Sequence, residues 1–340
     1  MPIKKMPRVS VLVINYNGKR YLKECFESLK DQTYVGYDAY MIDNGSTDGS
    51  VEYVNEDFPW VRVIAFKENL GFARAYNEAI KSIDTDLVAL LNNDTRVDRR
   101  WLQELVNAII DDELLAAVGG KILLYDNPEL LNQAGAKITP LGGGFDIDLY
   151  QKDCGRHEVK TEVGALCGAA MLVRKNLFMK IGGFDEEFFA YFEDTDLCWR
   201  AWLYGFRILY IPTSIVYHKL GGSWGRSSPQ KVFLGERNRL LSMIKNFEWM
   251  NLMKGLFLSI PYNATRIVLY TREVAPDRIF SIVRADMWVL RNIRKSVRER
   301  RIMHENRVVH DKTLLSRGII ASNGESIREF LRLNPYQEYS

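Results

Sequence analysis

Short apolar runs alternate with segments of helical periodicity over the first 125 residues. The first run, at residues 9–15, suits a strand buried on both faces, and residues 19–30 then place Leu22, Phe26 and Leu29 on one helical face. Repeated strand–helix–strand units predict a mainly parallel sheet with helices on both faces, an α/β fold. Further strands are predicted at 39–43, 61–65, 87–92 and 116–124, and further helices near 48–57, 71–83 and 99–111.

Small polar and acidic residues follow three of these strands directly. Asn15 ends the first strand, Asp43 ends the second, and Asn92 and Asp94 follow the fourth. Ligands of parallel sheets bind beyond the carboxyl ends of the strands. We interpret Asp43 and Asp94 as ligand-binding, because a carboxylate beside a buried sheet needs a partner. Asp48 is instead placed to cap the following helix.

The middle of the chain is less regular. Residues 125–165, rich in proline and glycine, predict an irregular excursion such as a hairpin or lid. A glycine-broken strand follows, then a helix that begins with acidic residues at 193–196 and ends at Gly205. Two more strands are predicted at 207–211 and 214–218. The pattern is helical from 229 to about 303, and the last 25 residues look weakly ordered.

Composition and charge narrow the class of protein. With 47% apolar and 26% charged residues, the 340-residue chain is neither disordered nor fibrous. The formal net charge is only +3, but it is unevenly distributed. From residue 231 onward there are 20 basic and 11 acidic residues, against 26 basic and 32 acidic before it. The first part therefore suits metal or ligand binding, and the second suits an anionic surface.

The basic residues of the second part concentrate between 291 and 301, a segment that contains six basic residues and a single acidic residue, Glu299. Large apolar residues lie between them, which favours an anionic membrane surface over nucleic acid. The alternative is a helical appendage that packs on the body with a solvated basic face. We expect peripheral membrane contact and no nucleic-acid partner, and the sequence leaves homo-oligomerisation open.

Cysteine usage and the N-terminus bear on the compartment. The four cysteines include no CxxC pair, which favours a reducing environment. No apolar core precedes the first strand, and no stretch reaches 18 uninterrupted apolar residues. We therefore expect a cytoplasmic protein, at the cytoplasmic face of the inner or plasma membrane if it contacts one.

Two groups of side chains could carry chemistry. Asp94 and His218 each end a predicted strand, and together they suit a Mg²⁺ or Mn²⁺ ion whose coordination a diphosphate completes. Glu193 and Asp194 follow five largely aromatic residues, which could wall a dry site. A carboxylate there could take a proton from a sugar hydroxyl.

The motifs in this order resemble glycosyltransferase family 2, and within it the non-processive, rhamnosyltransferase-like branch. The resemblance covers roughly residues 8 to 225 and implies a GT-A fold with a helical C-terminal extension. Each motif is short, but seven in family order are specific. They are VLVINYN at 11–17, IDNGSTDG at 42–49, NLGFARAYN at 69–77, LNNDT at 91–95, GGFDE at 182–186, FEDTD at 192–196 and HKLGGS at 218–223.

The resemblance implies roles for individual residues on the donor side. Asp94 and His218 would hold Mn²⁺ or Mg²⁺, although Asn92 and Asn93 stand where the family has its leading aspartates. The nucleotide-sugar would be bound by Asn15, Tyr16, Asp43, Asn69, Arg74 and Asn93.

On the acceptor side the resemblance implies that Asp194 is the catalytic base of an inverting transfer. The donor would be a nucleotide-diphosphate-sugar, with dTDP-rhamnose as our first choice, and the acceptor a glycan or a lipid-linked glycan. The residues that would support or contact the acceptor are Cys167, Gly168, Glu193, Asp196 and Trp199.

The predicted domains are a GT-A domain at 1–228, with a nucleotide-sugar half at about 1–125 and an acceptor half at about 126–228, and a helical basic region at 229–340. Three alternatives remain. A nucleotidyltransferase would usually carry an early glycine- and arginine-rich phosphate loop, and a processive synthase a Gln-x-x-Arg-Trp motif; we find neither. A nucleotide-sugar-binding protein without transfer activity is disfavoured by the joint presence of Asp94, Asp194 and His218.

Overall fold

The computed structural model describes residues 7–219 and 228–333. Within these ranges the chain forms a ten-stranded sheet, a two-stranded hairpin and twelve α-helices. The strands are β1 (Val9–Asn15), β2 (Tyr37–Asp43), β3 (Val61–Ala65), β4 (Leu87–Asn92), β5 (Thr95–Val97), β6 (Leu115–Leu124), β7 (Leu131–Gln133), β8 (Ala136–Ile138), β9 (Gly144–Asp146), β10 (Thr161–Glu162), β11 (Ala170–Arg174) and β12 (Arg207–His218). The helices are α1 (Lys19–Lys30), α2 (Ser50–Asp57), α3 (Gly71–Ser82), α4 (Trp101–Ile109), α5 (Lys175–Lys180), α6 (Glu193–Leu203), α7 (Pro229–Asn246), α8 (Trp249–Arg272), α9 (Pro276–Arg291), α10 (Ile293–Glu305), α11 (Asp311–Ser316) and α12 (Asn323–Arg332).

Strand direction brings several strand ends to one edge of the sheet. β1 pairs in parallel with β2 and β4, in a register that sets Asn15 opposite Asp43. β11 is antiparallel to both β4 and β6, and β12 is parallel to β6, so β12 runs in the same direction as β4. The carboxyl ends of β1, β2, β4 and β12 therefore meet at one edge. The predicted sheet, mainly parallel and flanked by helices, is confirmed.

Hydrophobic residues pack on both faces of the sheet. α1 buries Leu22, Phe26 and Leu29 completely, as the periodicity predicts. On the other face the core cluster also contains Leu241 and Phe247, which come from α7 and the residue that follows it. Residues from both sides of the predicted boundary at 228 thus share one core, and the C-terminal helices are built into the same body as the sheet.

The prediction of two strands at 207–211 and 214–218 is wrong, because the structure has the single strand β12. The register against β6 shifts between Ile211 and Ile215, so a bulge accommodates Pro212 and its neighbours. Gly120 of β6 lies opposite the bulge, where a Cβ atom would come within 2.1 Å of the carbonyl oxygen of Ser214. The proline that suggested a break lies inside a bulged strand.

The expectation of weak order after residue 315 is also wrong as far as residue 333. Ile320 forms a β-bridge with Ile138 of β8. β8 pairs antiparallel with β9, which is the hairpin that we gave as one form of the excursion at 125–165. α12 begins with a capping box between Ser322 and Glu325, a signal that the sequence shows and that we overlooked.

Residues 334–340 and part of the predicted motif at 218–223, from 220 onward, lie outside the described residues. Among the described helices, none combines the length and the apolar character that a bilayer span requires.

Candidate active site

A cavity of about 740 Å³ lies at the edge where the strands end. Its wall includes residues that follow β1 and β4, the end of β12, the β8–β9 hairpin, the start of α6 and three C-terminal helices, α7, α8 and α12. Asp94, Asp194 and His218 all line it. The structure therefore brings together the three side chains on which the sequence-based function depends.

Strand pairing places Asp94 beside His218. The short strand β5 runs antiparallel to the end of β12, with Thr95 opposite His218, and the oxygen Oδ1 of Asp94 lies 3.5 Å from Nε2 of His218. The other ring nitrogen, Nδ1, lies 2.8 Å from the side-chain oxygen of Asn132. Because that oxygen can only accept, Nδ1 carries the proton, and in the neutral ring Nε2 directs its lone pair towards Asp94.

The donor atoms at this point fit a divalent cation. Oδ1 of Asp94 and the side-chain oxygen of Asn92 are buried, and neither has a hydrogen-bond partner within residues 7–219 and 228–333. Carboxylate oxygen with imidazole nitrogen suits Mn²⁺, and carboxylate oxygen alone suits Mg²⁺. Asn132 would orient the histidine as an outer hydrogen-bond partner. Two protein ligands leave most coordination positions for oxygen atoms of a substrate.

Behind the cavity, a hydrogen-bond network ties the strand ends together. The amide of Asn15 donates to Oδ1 of Asp43 and to Oγ of Ser46, both at 3.1 Å, and its oxygen accepts from Asn93 at 2.6 Å. The other oxygen of Asp43 accepts from the backbone of Ser46. Asn15 and Asp43 are almost fully buried and are not on the cavity wall. The prediction that they contact the nucleotide needs correction: they brace the edge, while Asn93 and Tyr16 line the cavity.

Asn69 lines the cavity and is held by Asn44, which the sequence analysis did not single out. The side-chain amide of Asn44 donates to Oδ1 of Asn69 at 3.0 Å and to the carbonyl of Gly71. Its oxygen accepts from the backbone of Leu70. Arg74 is exposed on α3 and is not on the cavity wall, so the structure does not place it with the other predicted donor contacts.

The loop before α6 has a strained backbone. Residues 189, 191 and 192 have positive φ angles of 61°, 71° and 66°, which non-glycine residues rarely adopt. Asn238 of α7, fully buried, donates its side-chain amide to three carbonyl oxygens here, at 2.8–2.9 Å, those of Phe188, Ala190 and Tyr191. The clamp sets where α6 begins and therefore where Glu193 and Asp194 lie.

Asp194 and Glu193 are both buried, but they differ in the hydrogen bonds that their oxygens accept. Burial raises the pKa of Asp194, but backbone N–H groups of Gly168 (2.8 Å) and Thr195 (2.6 Å) oppose that rise by donating to its two oxygens. Burial, and then the charge of Asp194, raise the pKa of Glu193 well above its usual range. One oxygen of Glu193 has no hydrogen-bond partner among the described residues. Of the two carboxyl groups, Glu193 therefore holds a proton more readily than Asp194 does.

Comparison with known proteins gives the family. The model of glycosyl transferase family 2 matches residues 10–182, about half of the chain. This chain belongs to glycosyl transferase family 2. An N-acetylglucosaminyl-diphospho-decaprenol L-rhamnosyltransferase of Mycobacterium tuberculosis (strain ATCC 25618 / H37Rv) is 28% identical over 243 residues, which cover 64% of this chain and 77% of that protein.

Solved structures show the same fold. GalNAc-T7 with UDP, GalNAc and Mn²⁺ aligns with a TM-score of 0.58 at 18% identity, over 71% of this chain and 48% of that one. The mannosyltransferase PcManGT from Pyrobaculum calidifontis, in complex with GDP-Man and Mn²⁺, aligns with a TM-score of 0.53 at 16% identity, over 84% and 88%. The chain thus spans about half the length of GalNAc-T7. These likenesses confirm the GT-A fold.

Not all of the acceptor residues predicted from the family 2 resemblance lie in the cavity. Cys167, Gly168 and Glu193 line it. Asp196 does not, because it is fully buried among Arg200, Ser242 and Asn246, with its oxygens 2.7 Å from Arg200 Nε and 2.8 Å from Asn246 Nδ2. Its position, two residues after Asp194, turns it about 200° away around the helix.

Trp199 is likewise enclosed in the core of this family 2 protein, where its ring meets that of Phe247 at 4.5 Å between centroids. We correct both assignments: Asp196 and Trp199 hold α6 against α7. A Cβ atom at Gly168 would come within 2.9 Å of the ring of Phe72, so a larger residue there would require that ring to shift.

The sequence analysis did not predict two parts of the cavity wall. Asp146, from β9, accepts from Gln133, whose oxygen in turn accepts from the backbone of Cys167 at 2.7 Å. Burial raises the pKa of Asp146 to about 6, and the charge of Asp194 adds to the rise. Asp146 lies in the irregular segment at 125–165, where the sequence shows no helical or strand periodicity, so no sequence signal indicated this residue.

The second missed part comes from the C-terminal helices. Glu236 of α7 is buried and accepts from Arg239, from Asn263 (2.9 Å) and from Arg266 (2.6 Å), and the glutamate and both arginines line the cavity. The sequence analysis assigned these residues to a separate helical region. The structure makes them one wall of the same cavity.

We predict that Asn238→Leu destabilises the fold. Removing the amide leaves two carbonyl oxygens of the loop, those of Ala190 and Tyr191, without this donor, and each loss costs about 1 kcal/mol or more, whereas the carbonyl oxygen of Phe188 still accepts from Arg237. The free energy of unfolding from urea titration should fall by about 2 kcal/mol. Asn55→Leu, at an exposed position of α2, is the matched control and should change it by less than about 0.5 kcal/mol. A loss below about 1 kcal/mol in Asn238→Leu would contradict the clamp.

A second prediction concerns pH. Because the pKa of Asp146 is raised to about 6 in the folded protein, the folded state binds this proton more tightly than the unfolded chain does. The stability that this carboxyl contributes is therefore present below its unfolded pKa and is lost as pH rises through about 6. Melting temperatures of the wild type and Asp146→Asn, measured from about pH 4 to about pH 7, should diverge in favour of the variant. A difference that stays constant over this range would show that the carboxyl is not perturbed.

Proposed function

We propose that this family 2 glycosyltransferase moves one sugar from a nucleotide-diphosphate-sugar to a hydroxyl group of a glycan or lipid-linked acceptor, with inversion at the anomeric carbon. One observation carries the proposal: Asp94 and His218, which suit a metal–diphosphate site, line the same cavity as the buried carboxylate of Asp194. A phosphate-binding end and a proton-accepting end in one cavity are what this transfer needs.

In the proposed reaction, Asp194 accepts the proton of the acceptor hydroxyl. The hydroxyl oxygen forms a bond to the anomeric carbon from the face opposite the phosphate, and the bond from that carbon to the diphosphate oxygen breaks. The nucleoside diphosphate leaves with the electron pair. A Mn²⁺ or Mg²⁺ ion held by Asp94 and His218 would neutralise charge on the departing diphosphate.

The two N–H groups that donate to Asp194 suit this role. They oppose the rise in the pKa of Asp194 that burial causes, and so favour the ionised form that accepts a proton. Glu193, protonated, can donate a hydrogen bond to an acceptor oxygen from its position beside the base. Cys167 and Gly168 form the adjacent wall.

On the donor side, Tyr16, Asn69 and Asn93 supply the polar and aromatic surface for the nucleotide. We propose dTDP-rhamnose as the donor. The resemblance to rhamnosyltransferases, including the L-rhamnosyltransferase of Mycobacterium tuberculosis, supports this choice. A thermal-shift screen of nucleotide-sugars with Mn²⁺ tests it, because a ligand that binds only the folded state raises the melting temperature.

We predict that Asp194→Asn lowers kcat by at least about a hundredfold while donor affinity stays unchanged, because only proton removal is damaged. Glu193→Gln is the matched control, since an amide imitates a protonated carboxyl, and it should retain far more activity. Transfer rates and calorimetric donor binding measure the two effects. Near-wild-type turnover in Asp194→Asn would remove this residue as the base.

We also predict that Asp94→Ala weakens binding of a nucleoside diphosphate in the presence of Mn²⁺ by about tenfold or more, because the cation loses its carboxylate ligand. Asp38→Ala, at an exposed position near the opposite end of β2, is the control and should leave the affinity unchanged. Titration calorimetry with and without Mn²⁺ measures both. Equal metal-dependent affinity in Asp94→Ala and wild type would exclude Asp94 from the site.

A further inference from the structure

Helix α8 has two different faces. One contributes Tyr262, Arg266, Leu269 and Tyr270 to the cavity wall. The other is exposed and apolar, with Trp249, Phe257 and Ile260 exposed by 65%, 72% and 67%. At 100° per residue the apolar positions fall within an arc of about 120°, directed away from the cavity. They are Trp249, Met253, Leu256, Phe257, Ile260 and Val268, and we call them the apolar face of α8.

The charged residues within α8 are all cations, although the exposed acidic residues Glu273 and Asp277 follow the helix. The 24 residues of α8 include no aspartate and no glutamate. Lys254 and Arg272 are exposed at the margin of the apolar face. The helix α9, which packs against α8, exposes Phe280 and Leu290, and Arg284 is exposed on it as well. Apolar surface flanked by cations fits an anionic lipid headgroup layer.

The basic run at 291–301, which the sequence analysis associated with a membrane, is partly engaged within the protein. Arg300 donates to the carbonyl oxygens of Ile244 and Phe247, both at 2.6 Å, and Lys295 pairs with Glu187. These cations hold α10 to the body. The other four basic residues of the run, Arg291, Arg294, Arg298 and Arg301, are exposed, so α10 keeps a basic surface while α8 presents the apolar one.

We propose that the apolar face of α8 lies in the headgroup region of an anionic membrane, so that a lipid-linked acceptor reaches the cavity from the bilayer. A helix is about 10 Å across, so the membrane surface and the cavity wall would be separated by the thickness of α8 alone. Pairing with a second copy is disfavoured, because two such faces would bring the cations at their margins together. The acceptor part of this proposal rests on the proposed function; the membrane part does not.

The experiment compares binding to vesicles of phosphatidylcholine with and without phosphatidylglycerol, using the full chain. The double variant Phe257→Asn/Ile260→Asn should bind the anionic vesicles at least about tenfold more weakly than the wild type, because two apolar anchors are lost. Val35→Asn/Val159→Asn is the matched control: these valines are 88% and 73% exposed but lie on the body, and binding should not change. Lys254→Gln and Arg272→Gln should each weaken anionic binding by about fivefold, and high salt should do the same.

Three results would overturn the proposal. One is wild-type binding by Phe257→Asn/Ile260→Asn, and another is equal binding to neutral and anionic vesicles. The third is a wild-type dimer in sedimentation that this variant converts to monomer while vesicles bind neither protein, which would assign the face to a second copy. Binding of dTDP with Mn²⁺, measured without vesicles, should be the same in the double variant and the wild type. Failure of the proposed reaction would appear instead in Asp194→Asn, so the two proposals fail separately.

Discussion

The side-chain amide of Asn238 holds together the parts of this molecule on which the candidate site depends. It binds three carbonyl oxygens of a loop whose residues adopt left-handed backbone, and that loop leads directly into α6. Arg237 supports the same loop by donating to the carbonyl oxygens of Glu187 and Phe188, and together these contacts position the first turn of α6, where Asp194 accepts from Gly168. Asp196 adds a second attachment between the same helices through Ser242 and Asn246. The C-terminal helix α7 is therefore part of the framework of the site.

The donor half of the site was predictable because its signals are local. An apolar run followed at once by Asn or Asp marks a strand end, and parallel strands carry their ends to one edge. Asp94 was predicted in this way, whereas Asn93 and Tyr16 came from the family 2 resemblance, and the structure places all three on the cavity wall. His218 is further away in sequence, yet it also ends an apolar strand that runs in the same direction as β4. Direction in the sheet thus converts a local pattern into proximity in space.

The other features of the candidate site could not be predicted from local sequence patterns. Near a strand end, a carboxylate can brace the edge or face the ligand, and only the contacts of Asp43 show that it braces. On α6, the acidic residues share one short motif, but the helix turns Asp194 towards the cavity and Asp196 towards α7. Glu236 and Asp146 reach the cavity through pairings between distant segments, which no pattern within either segment encodes. The capping box of α12 is different, because it was visible and was overlooked.

The two halves of the cavity also differ in how they relate to the family. The family 2 model ends at residue 182, so it includes β1, β2 and β4, but not Asp194, His218 or the C-terminal helices. Polar residues at strand ends suit the diphosphate and nucleotide that family 2 donors would share. The opposite wall is formed by α7, α8 and α12, whose buried Glu236 keeps Arg239 and Arg266 in fixed positions. In the proposed reaction the acceptor would approach against this wall, so the shape of the C-terminal helices, more than the motifs at the sheet edge, would determine which hydroxyl group reaches Asp194.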